Sequence, residues 1–168
     1  MGVKFTGSDI AEMGIQIEKN GKEYYDEVLR CSKSEKAKQI FKFLGQEEVN
    51  HVVFFEKLLS SLEKEEAAES YSGEYYEYMK NLSALHVFTK KGKGLEAACK
   101  IKSDKEALKT AVDFEKDSIL FYYEMKNFIS TKDKKVLDEI IKEEQAHLSK
   151  LMVLLIQIPL ILRSSVTG

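Results

Sequence analysis

Four long stretches of this chain place apolar or small residues at alternating spacings of three and four, the pattern of helices buried along one face. In the first, over about residues 9–30, the stripe runs Ala11, Gly14, Glu18, Gly21, Tyr25 and Val28. The second opens at a cap residue, Ser34, and its stripe runs Leu44, Glu48, His51, Phe55, Leu58 and Leu62. The third follows a capping-box pair, Ser103 with Glu106 three positions later, and runs Leu108, Ala111, Glu115, Ser118, Tyr122, Met125 and Ile129. The fourth runs Leu137, Ile140, Glu144, His147, Leu151 and Leu154. Short polar joints at 31–34 and 130–132 turn each pair of stretches into a helical hairpin with antiparallel neighbours.

Between the hairpins lies a connection of about residues 64–102. It holds a tyrosine-rich apolar stretch over 75–88, read as a short helix, and a lysine-glycine loop over 90–94. A connection of that length lets the second and third long helices run parallel. The expected fold is therefore all-α, an antiparallel four-helix bundle built from two hairpins and a long crossover. It is expected to form one domain over 1–168, because neither hairpin has a core without the other. One proline and nine glycines are too few punctuators for a many-turned β protein.

The polar residues on these stripes carry the chemistry. Glu18, Glu48, His51, Glu115, Glu144 and His147 all occupy positions that otherwise hold apolar or small side chains. A single buried carboxylate costs enough to lose its charge, and four together would also repel one another. A cation has to compensate them if the helices are to pack.

Hairpin geometry brings the six together. Residues equidistant from a turn face each other in an antiparallel pair; the midpoint of Glu18 and Glu48 is position 33, and that of Glu115 and Glu144 falls between 129 and 130. Each cluster then lies about 21 Å from its turn, near the middle of the bundle. The halves also repeat, with residues 46–51 resembling 142–147, and Glu18 and Tyr25 matching Glu115 and Tyr122. Two Glu helices and two Glu-x-x-His helices make the ligand set of di-iron and di-manganese carboxylate bundles. Four carboxylates cancel two divalent ions, and mixed carboxylate and imidazole donors suit iron or manganese. In this arrangement Glu48 and Glu144 bridge the ions, Glu18 and Glu115 are terminal, and each ion takes one histidine.

The stretches 15–19 through Tyr24 and Tyr25, and 114–122, together with both Glu-x-x-His motifs, resemble the rubrerythrin-type di-iron proteins of the ferritin-like superfamily over about residues 9–155. The resemblance implies a non-haem centre of two iron ions and redox chemistry with hydrogen peroxide or dioxygen. It also implies a separate electron donor such as a rubredoxin-like protein, since no rubredoxin-type cysteine pairs are present. Family members usually carry an extra Glu three residues after the ligand of the third helix, where this chain has Ser118. That substitution leaves the ligand set symmetric and admits an alternative, a ferroxidase or iron-sequestering protein in a multi-subunit assembly.

Smaller expectations follow. Gly21 and Ser118, one turn after Glu18 and Glu115, leave a small pocket beside the metals. Tyr25 and Tyr122 support ligand carboxylates through hydrogen bonds. Glu47 and Glu143, each four residues before a motif histidine and within reach of its free ring nitrogen, are assigned to a solvated face in preference to that contact, and His86 to the crossover. A net charge of −2 gives no footprint for nucleic acid. Two cysteines without a CxxC pair exclude zinc ribbons and point to a reduced, cytoplasmic setting. The apolar run 151–162 within the tail 151–168 is too short to span a bilayer and suits a buried helix end or a contact in a homodimer or higher oligomer.

Overall fold

Helix ends are where this sequence specifies its elements most directly. The computed structural model of the protein describes residues 7–62, 77–78, 81, 90–129 and 131–164. Helix α1 spans Gly7–Cys31, with Asp9 in its first turn and Arg30 in its last, charges that suit the helix dipole. Helix α2 spans Glu35–Leu62 and is capped by Ser34, whose Oγ accepts from Ala37 N at 3.3 Å. A short helix, α3, spans Lys93–Cys99. Helix α4 spans Asp104–Met125, capped by Ser103 Oγ accepting from Glu106 N. The Glu106 carboxylate reaches back to Lys102 N at 2.8 Å, one residue before the cap. A 3₁₀ turn, Lys126–Phe128, leads into α5, Thr131–Ser164. There are no strands among the described residues.

Helices α1 and α2 form one hairpin, α4 and α5 the other, and α1 packs on α4 while α2 packs on α5. The Asp104 carboxylate at the start of α4 accepts from Ser34 N at 2.9 Å and also from Lys33 N. Two helices that begin side by side run parallel, so α2 and α4 are the parallel pair and the fold is the ferritin-like bundle. Every stripe residue of α1, α4 and α5 is buried, as are Leu44 through Leu58 of α2. A second stripe on α1 (Ile10, Ile17, Tyr24) belongs to the same buried core as Ala107, Leu108 and Phe114, and the Tyr24 hydroxyl donates to Ala107 O at 2.7 Å.

Among the described residues, the end of the crossover packs on α1 and is hydrogen-bonded to it at Asn20. Buried Asn20 donates from Nδ2 to Lys90 O at 2.9 Å, and its Oδ1 accepts from Gly94 N at 3.4 Å. A Cβ on Gly94 would lie 1.8 Å from Asn20 O, backbone against backbone, so only glycine allows this approach. The region read as a loop over 90–94 thus gives way to a helix: Gly92 turns the chain at φ +79°, and α3 starts at Lys93. The helix expected over 75–88 lies outside the described residues except at Glu77, Tyr78 and Asn81, which are helical. His86 also lies outside them. At the other end, α5 continues past Pro159; Leu151 and Leu154 are buried, whereas Met152, Val153 and Ile156 are exposed. No helix among the described residues is long and apolar enough to cross a membrane.

Candidate metal centre

Glu18, Glu48, His51, Glu115, Glu144 and His147 lie at the middle of the bundle, one or two from each long helix, and none is more than 2 % exposed. They form two groups whose donor atoms approach within 4.8 Å of one another: Glu18, Glu48, His51 and Glu144, and Glu115, Glu144 and His147. Glu144 belongs to both. Its Oε1 lies 2.9 Å from His51 Nδ1 and its Oε2 lies 3.0 Å from His147 Nδ1. The two imidazole planes are inclined by 28°, with ring centres 6.0 Å apart. His51 Nδ1 also faces Glu18 Oε2 at 3.6 Å and Glu48 Oε2 at 3.8 Å.

The tyrosines cross the bundle. Tyr25 donates to Glu115 Oε1 at 2.5 Å, and Tyr122 donates to Glu18 Oε1. Each tyrosine therefore serves the carboxylate of the facing helix rather than the one seven residues before it. Gly21 provides room, but that room is filled: a Cβ there would lie 2.8 Å from both Glu48 Oε1 and Phe114 Cζ. Ser118 is 1 % exposed, and its Oγ has no hydrogen-bond partner.

Charge in this enclosure is held at a cost. Burial, with Glu18 alongside, pushes the Glu48 carboxyl well above its usual range; burial and the neighbouring Glu144 do the same to Glu115. Burial works against the charge on His51, yet the carboxylates of Glu18 and Glu144 outweigh it and raise its pKa. Burial would also raise Glu144, but the imidazoles of His147 and His51 prevail and hold it low. Burial raises Tyr25 and Tyr122, as do the adjacent carboxylates, Glu115 for the first and Glu18 for the second, so both stay protonated donors.

These donors fit a pair of cations. Glu18 Oε2, Glu48 Oε2 and Glu115 Oε2 are buried without a hydrogen-bond partner, and His51 Nδ1, though close to Glu144, is off hydrogen-bonding geometry. Buried polar atoms are almost always satisfied, so a cluster of orphaned oxygens and nitrogen facing one another is what a metal would satisfy.

One contact departs from the sequence reading. Glu143, assigned to a solvated face, is half exposed, yet its Oε2 lies 3.1 Å from His51 Nε2 on the neighbouring helix. Its place beside a stripe residue puts it at the edge of α5 that meets α2, a position the three-four alternation does not mark. The alternation does not mark Asn20 either, since it lies on the α1 face that meets the crossover.

A helical bundle of this topology, with four carboxylates and two imidazoles meeting in its core, defines the class of ferritin-like carboxylate proteins able to hold a pair of metal ions. More particularly, the Rubrerythrin family model matches residues 9–155, and the chain belongs to that family. No match was found among curated proteins or among solved structures.

Proposed function

We propose that the protein is a di-iron oxidoreductase, reducing hydrogen peroxide or dioxygen at a centre held by Glu18, Glu48, His51, Glu115, Glu144 and His147. The observation that carries this reading is Glu144, whose two oxygens face one imidazole each and which belongs to both donor groups. Two redox-active ions there, iron or manganese, would supply the two electrons that, with two protons, convert peroxide to two waters.

The chain's own residues do the rest. Glu144, which belongs to both donor groups, and Glu48, which belongs to one, would hold the ions with the two histidines, while Glu18 and Glu115, each tethered by one oxygen to a tyrosine, would keep the second oxygen for a metal. The aromatic packing of Phe41, Phe55, Phe114 and Phe121 excludes bulk water from the centre. The electrons come from a separate donor protein, and the chain works in the cytoplasm as a homodimer or higher oligomer. Ser118, in place of the extra carboxylate, favours a second reading, iron sequestration by a multi-subunit shell with the same ligands.

Metal analysis combined with stopped-flow mixing of the reduced, iron-loaded protein against peroxide and dioxygen tests the proposal. Two iron equivalents and rapid absorbance change on mixing are expected. A folded protein that binds two irons and shows no change with either oxidant refutes it, and a large hollow assembly by mass supports sequestration instead.

A further inference from the structure

The repeated motif predicts a symmetric centre, and the structure does not build one. Glu47 and Glu143 are equivalent in the repeat, each directly before the Glu of a Glu-x-x-His motif. Glu143 crosses to α2, where its Oε2 meets His51 Nε2 at 3.1 Å. Glu47 stays on its own helix and accepts from Asn50 Nδ2 at 3.4 Å. The His147 ring has Phe43 against it instead, edge to face at 5.7 Å between centres.

This difference acts on donor strength. When His51 donates its Nε2 proton to Glu143, Nδ1 is left with its lone pair directed toward Glu18, Glu48 and Glu144. A carboxylate on the far nitrogen fixes the tautomer and the ring orientation and makes the imidazole a better donor. An aromatic neighbour gives His147 packing without that polarisation. The surroundings differ in number as well, since three carboxylates and His51 gather on one side, and two carboxylates and His147 on the other.

We infer that the two metal positions are unequal, the one built on Glu18, Glu48, His51 and Glu144 filling first with a divalent transition-metal ion, and that Glu143 is the positioning residue that makes it so. The inference rests on the di-metal reading above and adds an order of loading to it.

Titration of the full-length, metal-free protein with Co²⁺ alone, followed by calorimetry and by the visible bands of the bound ion, separates the two claims. Two steps are expected, the first at least tenfold tighter. Glu143→Gln should weaken the first step by about 10- to 100-fold and leave the second in place. Glu143→Asp, which keeps the charge, should recover part of the loss. Glu47→Gln should leave both steps unchanged, and His147→Ala should abolish only the second. Two indistinguishable equivalents in the wild-type protein, or equal effects of Glu47→Gln and Glu143→Gln, would overturn the inequality while preserving the di-metal centre. A folded protein that takes up no Co²⁺ would overturn the di-metal reading, and this inference with it.

Discussion

The hydroxyl of Tyr25 on α1 donates to Glu115 Oε1 on α4 at 2.5 Å, and Tyr122 on α4 returns the same contact to Glu18 on α1. The two bonds stitch the hairpins together across the centre, each fixing one carboxylate oxygen and leaving the other free. Tyr25→Phe keeps the ring contacts with Tyr24, Phe41 and Phe114 but strands Glu115 Oε1 in the core. The expected loss is about 1–3 kcal/mol, seen as a fall of several degrees in the melting temperature of the metal-free protein. An unchanged melt would mean that the hydroxyl supports nothing.

Gly21 is a second point where one atom decides the geometry of the centre. A methyl group there meets the Glu48 carboxylate and the Phe114 ring, each at 2.8 Å, and both must move. Gly21→Ala should cost about 1–3 kcal/mol from overpacking. If Glu48 is a ligand as proposed, it should also weaken Co²⁺ binding at least tenfold, because the atom displaced belongs to its carboxylate. Wild-type affinity in the variant would show that Glu48 need not stay where the structure has it.

Ser118 and Ser34 make opposite predictions for the same substitution. Ser34 Oγ caps α2, so Ser34→Ala should cost about 1 kcal/mol. Ser118 Oγ is buried without a partner, and alanine at that place removes an unsatisfied group and favours the helix. The metal-free Ser118→Ala protein should therefore melt at the same temperature as wild type or higher. A clear drop would show that the hydroxyl has a partner in the folded protein.

The protonation of the centre predicts how stability follows pH. Glu48 and Glu115 are raised in the folded protein by burial and by neighbouring carboxylates, so the folded state binds more protons than the unfolded chain above the ordinary glutamate value of about 4.3. His51, raised by Glu18 and Glu144 against the opposing effect of burial, acts in the same direction above its ordinary value of about 6.5. Glu144, held low, contributes stability that is lost only in acid. The metal-free protein should thus lose stability as pH rises from about 5 to 8, while the metal-loaded protein, whose ligands must be deprotonated, should gain it. Thermal melts of both forms across that range check the sign; parallel curves would refute it.

The alternation of threes and fours in the sequence determined which faces turn inward, and therefore the bundle and the presence of Glu18, Glu48, His51, Glu115, Glu144 and His147 in its core. Hairpin arithmetic placed Glu18 level with Glu48 and Glu115 level with Glu144, since antiparallel helices of equal rise keep their register from the turn outward. Periodicity, however, says only that a residue is buried, not which neighbour it meets. That Tyr25 serves Glu115, that Glu143 reaches His51 while Glu47 stays with Asn50, and that Asn20 and Gly94 lock the crossover to α1 were decided only by the tertiary structure. Apart from Glu47 with Asn50, those contacts lie between elements distant in sequence, and local periodicity carries no information on which of the partners made equivalent by the repeat a side chain will meet.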